Sequence, residues 1–185
     1  RIVANAIEGL GSIKYLGITQ LLLRFLESSN GRIRGNTIIA LWKYKGVRSK
    51  VSSSLTEMLE STDSNFLVSG VYATGEIKDK SRISKLNELL LNRSDEIPAL
   101  SRGVPMALAK MGVLTSDQIV DLLLDEDSSF GVNVAYHCLR LDTRVLNEEI
   151  IQTIYDRGLE ARTLAWERFS HCGAFCHEQL KLLEG

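Results

Sequence analysis

Proline is nearly absent: 2 residues in 185, Pro98 and Pro105. Proline removes a backbone donor and blocks a helix interior, so its scarcity leaves most of the chain open to unbroken helix. Cysteine is scarce too. Cys138, Cys172 and Cys176 are too few and too unevenly spaced for a disulfide framework, and a reducing, cytoplasmic setting is the simpler reading. The longest apolar runs are short, such as Leu21-Leu22-Leu23, against the ~20 residues that a membrane-spanning helix needs. Charge of one sign is lacking: the net value is −1, which gives no global pull towards nucleic acid or anionic membrane. No alternating run reads as a strand, and no segment reads as a signal peptide. No glycine loop cradles phosphate, since Gly9-Leu10-Gly11 reads as the end of a helix. There is no initiator methionine, and the chain opens in mid-pattern at Arg1. The expectation is a fragment of a longer polypeptide.

What is present is one strong helical pattern. Asn30–Gly46, NGRIRGNTIIALWKYKG, carries Ile33, Thr37, Ile38 and Leu41 on one face of a 3.6-residue helix. Asn30 suits the N-cap and Gly46 the left-handed stop, with Lys43 and Lys45 near the negative end of the helix. The stretch recurs. Asn5 lies over Asn36, Ala40 over Ala73, Ala73 over Ala107 and Leu108 over Leu139, with a weaker copy at Leu159–Phe169. A period of about 30–35 residues is the mark of stacked repeats.

Between these A helices lie one-sided B helices at Ile18–Glu27, Lys50–Glu60, Ile83–Leu91, Ser116–Leu124 and Glu148–Tyr155. Thr115 and Gln118 form a capping-box pattern, and Asp63 and Asp127 stand where caps are needed. Pro98 suits a first helical turn, whereas Pro105 falls deep in an A helix and predicts a kink or a late start. The expected fold is all-α: a right-handed α-α superhelix of about six helical pairs in one domain. The repeats run 1–28, 29–61, 62–93, 94–125, 126–157 and 158–185.

RIVANAIEGLG, NGRIRGNTIIALWKYKG and FLVSGVYATGEI resemble the HEAT-like repeats of the phycobilisome-lyase type found in bacterial proteins, best over residues 1–112. The resemblance implies an α-solenoid used to bind proteins, and brings no catalytic motif. Pro105 and the irregular later repeats depart from it.

Four metal-ligand types crowd into His171-Cys172-Gly173-Ala174-Phe175-Cys176-His177. Zinc wants ligands from two separated segments, so the plainer reading is buried cysteines beside part-exposed histidines, with no metal or other cofactor. His137 and Cys138 are neighbours on a helix and point apart, which disfavours a nucleophile–base pair. Glu148-Glu149 and Asp125-Glu126-Asp127 read as solvated charge and caps. No enzyme is expected.

Charge is unevenly placed. Residues 1–92 hold 13 Lys+Arg against 8 Asp+Glu, and residues 93–185 hold 9 against 15. Arg32, Arg34, Lys43, Lys45, Arg48 and Lys50 cluster in one repeat: either a solvated face or a site for an acidic partner. One A-helix register position is held by Glu8, Ile39, Tyr72, Met106 and His137. Ile39, Tyr72 and Met106 form an apolar row, either repeat packing or an exposed strip for a partner.

The expected function is a non-enzymatic protein-interaction or scaffold module, its contacts centred on Arg32, Arg34, Ile39, Trp42, Lys43, Tyr72 and Met106. The alternatives are a nucleic-acid-binding or repair-type solenoid and, by resemblance alone, a chromophore-lyase-like protein. Glu57, Glu60, Glu88, Asp121 and Asp125 on the B helices argue against nucleic acid.

Overall fold

The computed structural model describes residues 2–13, 17–127, 129–132, 134, 144–171 and 183. All regular structure among them is helical, and no helix is long and apolar enough to cross a membrane. The chain divides into two compact units, 1–107 and 108–185.

The first unit begins with α1 (Ile2–Ser12) and α2 (Gly17–Leu23), the latter prolonged by a 3₁₀ turn at Arg24–Glu27. α3 (Gly31–Leu41) and α4 (Arg48–Leu59) follow, then α5 (Ser64–Ile77) and α6 (Ile83–Arg93), and α7 (Ala99–Met111) crosses the division. Helices start where a side chain can satisfy a free N–H. Asn30 accepts from Ile33 N at 3.1 Å, and Asp63 accepts from Asn65 N and Phe66 N. α3 packs on both α1 and α5, so the A helices lie side by side, with α4 against α3 and α5. Ile7, Leu22, Ile38, Leu41, Leu55, Met58, Leu67 and Leu86 are buried, as their spacing requires.

Small residues let the A helices close up. A Cβ on Gly11 would stand 2.8 Å from Ala40 Cβ, and one on Gly75 would stand 2.8 Å from Ala107 Cα. Gly11 stands in the last turn of α1, which ends at Ser12 as the sequence reading expected, and is also the point where α1 meets α3.

The stop signals also differ from expectation. α3 ends at Leu41, five residues before Gly46, which lies in a 3₁₀ turn, Lys45–Val47. Trp42 N donates to Ile38 O and Tyr44 N to Leu41 O, so a tightened last turn releases the chain and no left-handed residue is needed. α5 ends on Lys78, held left-handed at φ 54°. Lys78 N reaches Gly75 O, and Asp79 N reaches Thr74 O, the paired bonds of a Schellman stop. α7 starts directly after Pro98 and runs through Pro105, so of the two outcomes expected there, a kink or a late start, the late start does not occur.

In the second unit α8 (Ser116–Leu123) carries the anticipated capping box: Gln118 N donates to Thr115 Oγ1, and Thr115 N to Gln118 Oε1. Asp127 caps the next helical segment through Ser129 N and Phe130 N. α9 (Arg144–Asp156) packs on α8 and on α10 (Leu159–Ser170). Ile119, Val120, Ile154, Ala165 and Phe169 are buried there.

Candidate functional site: a groove across three A helices

Residues four apart stack along one face of a helix. On α5 these are Val68, Tyr72 and Glu76; on α3, Arg32, Asn36 and Ala40; on α1, Glu8 and Ser12. The three ridges enclose two hollows. One, of about 220 Å³, is lined by residues that include Glu8, Asn36, Ile39, Tyr72 and Glu76. The other, of about 430 Å³, takes in Arg32, Gly35, Val68 and Ser69. Glu8, Asn36 and Tyr72 border both, so the hollows form one groove. Gly11, Gly35, Ala40 and Ser69 have no bulk to fill it.

Tyr72 stands over the groove with half of its surface exposed. Partial burial pushes its hydroxyl pKa above the usual tyrosine range. The carboxylates of Glu76 and Glu8 push the same way, as does a hydrogen bond to Glu76, while Arg32 opposes them. Beneath it Asn36, 8% exposed, donates from Nδ2 to Ala4 O at 3.0 Å and ties α3 to α1.

Of the residues singled out in the sequence, Arg32, Ile39 and Tyr72 come together here. Ile39 is half-buried and Glu8 exposed, so this register position is open rather than sealed between repeats. Met106 is half-buried but lines neither hollow. His137 lies outside the described residues.

Several cations of the basic cluster are engaged with their own chain. Arg34 is mostly buried, bonded to Ser54 Oγ at 2.7 Å, paired with Glu57 and set over Phe66. Lys43 donates to the carbonyls of Gly11 and Ile13, so it closes the end of α1 rather than balancing its own helix. Arg48 stacks on half-buried Trp42 with 4.0 Å to the ring centroid, and Lys50 meets Glu27 at 3.7 Å. Arg32 remains in the groove, with Nη2 3.3 Å from Asn5 Oδ1.

The other candidates belong to the second unit or lie outside the described residues. His171 is exposed, its Nδ1 2.7 Å from Glu167 O; Cys138, Cys172, Cys176 and His177 lie outside the described residues. Among the described residues no group of three or more His, Cys, Asp or Glu is placed to hold a metal ion. Glu148 and Glu149 are exposed, and Asp127 caps a helix. Unit 2 has its own hollow of about 280 Å³, bordered by Leu159, Arg162, Trp166 and Leu183.

The sequence reading missed Asn36 and Glu76 as groove residues. The four-residue spacing of Glu76 from Tyr72 was the available signal; nothing local marked Asn36, whose partner is 32 residues away. Comparison with known proteins adds no relative: no family model, no curated protein and no solved structure matches the chain.

Proposed function

We propose that the chain is a non-enzymatic binding module, a right-handed HEAT-like solenoid that holds a protein partner against the exposed face of its A helices. Stacked helical pairs expose an extended surface of repeated ridges, which suits a peptide or a helix of another protein. The observation that carries the reading is Tyr72, half-exposed above a groove floored by glycine and alanine. Tyrosine and arginine are the residues enriched at the centres of interfaces, and Arg32 lies in the same groove. The groove is shallow and open, and the polar groups named there hold the fold or face water, which favours docking over catalysis.

No observation favours the nucleic-acid alternative. Glu57, Glu88 and Asp121 on the B helices pair with Arg34, Lys85 and Arg157, so those cations do not form a free basic track. The chromophore-lyase alternative rests on resemblance alone.

The test is selection of peptides from a display library on the purified protein, followed by titration of the enriched peptides against Tyr72→Ala. Docking in the groove requires that the substitution weakens binding while the fold is retained. Peptides that bind wild type and Tyr72→Ala alike would overturn it.

A further inference from the structure

Resting on the docking reading, we propose that the smaller hollow takes a cationic side chain, best an arginine, of the partner. Three features of the hollow point to a cation. Glu8 and Glu76 line it together, and no Lys or Arg does. Glu8 makes no hydrogen bond or ion pair among the described residues, so its carboxylate is available to a ligand. The Tyr72 ring forms one wall and is half-exposed, as a stacking surface for a guanidinium must be.

The remaining polar wall is an acceptor. Asn36 spends its Nδ2 on Ala4 O, and its Oδ1 accepts no hydrogen bond among the described residues. Two carboxylates and an amide oxygen around an aromatic face match the donor-only fork of arginine, which also stacks on rings. An anion would meet Glu8 in either hollow, and Arg32 lies only in the larger one. This inverts the acidic partner expected from the count of charges: Arg34, Lys43 and Lys50 of that region are bound to their own chain, whereas Glu8 and Glu76 both stand at exposed positions on the smaller hollow.

The experiment is an amide-resonance NMR titration of the full chain with N-acetyl-arginine amide, its uncharged isostere N-acetyl-citrulline amide, and N-acetyl-glutamate amide, at low salt. Arginine is expected to shift the amides of Asn36, Tyr72 and Glu76 saturably. Citrulline should bind more weakly by about threefold or more, and the glutamate probe should not bind. Glu8→Gln with Glu76→Gln, both exposed positions, should lower the arginine affinity by about the same factor. Absence of a saturable shift with arginine, or equal binding of arginine and citrulline, overturns the cation site. Library peptides that bind at Tyr72 yet carry no Lys or Arg would also overturn it while leaving the docking reading intact. Library peptides indifferent to Tyr72→Ala would remove the docking reading itself.

Discussion

Asn36 and Ala4 join two A helices: the side-chain amide of one donates to the backbone carbonyl of the other at 3.0 Å, in a setting where Asn36 is 8% exposed. The bond ties α3 to α1, the helix that carries Glu8. Asn36→Ala removes the donor without adding bulk. A loss of about 0.5–1.5 kcal/mol in chemical denaturation is expected, the net worth of one such bond. An unchanged unfolding midpoint would show that the bond does not hold the helices.

Two glycines in α1 are expected to respond with opposite signs. A Cβ on Gly9 meets nothing within 4 Å, so Gly9→Ala gains helix propensity and should stabilise by about 0.5–1 kcal/mol. A Cβ on Gly11 meets Ala40 Cβ at 2.8 Å and Ala40 Cα at 3.1 Å, backbone-linked atoms that cannot swing aside. Overpacking there costs about 1–3 kcal/mol and outweighs the propensity gain. Thermal unfolding of the two variants decides it, and a stabilised Gly11→Ala would refute the close approach of α1 and α3.

Lys78 carries left-handed strain that glycine would not. Its φ of 54° puts a side chain where only the absence of Cβ is free of cost. Lys78→Gly is expected to stabilise by about 0.5–1 kcal/mol after the entropy that glycine adds to the unfolded chain is subtracted. Denaturation of the purified variant measures it, and destabilisation would contradict a Schellman stop at this residue.

Tyr72 should form its phenolate at higher pH than an ordinary tyrosine. Burial is the main cause, and Glu76 and Glu8 add to it. The folded-state pKa is raised, so the contribution of Tyr72 to stability is full below the ordinary tyrosine range and is lost as pH rises through the raised value. Ultraviolet phenolate titration of wild type minus Tyr72→Phe isolates this one ring among five tyrosines. Glu76→Gln should bring its titration down. Coincidence with free tyrosine would contradict both the burial of the hydroxyl and the action of the two carboxylates.

Much of the local architecture was legible because local chemistry decides it. Asn30, Asp63, Thr115 and Asp127 cap the helices anticipated for them, since each needs only an N–H two or three residues ahead. The apolar spacing of Leu41, Leu55 and Leu86 marked the buried faces correctly. What the residues could not announce depends on which helix lies alongside. Lys43 looked like a dipole partner for its own helix, yet its acceptors are carbonyls 30 and 32 residues back. Gly11 was legible as part of a helix end, but its contact with Ala40 is a tertiary fact. Leu21 sits in an apolar stretch but is 42% exposed.

The same division holds for the groove. Tyr72 and Ile39 were visible as members of one register row, because register follows from the repeat. The charge of the site was not visible. A count of Lys and Arg cannot tell that Arg34 is spent on Ser54 and Glu57, or that Glu8 and Glu76 converge on one ring from helices far apart in sequence.

The most direct measurement is the affinity of a library-selected peptide for wild type, Tyr72→Ala and Trp166→Ala, with melting curves for each. Both rings are about half-exposed, Tyr72 at 50% and Trp166 at 43%, so each can be removed with little cost to folding. Docking on the A-helix groove requires Tyr72→Ala to weaken binding by more than about 1 kcal/mol, roughly fivefold, with Trp166→Ala binding as wild type. Equal affinity of wild type and Tyr72→Ala, both folded, would contradict it.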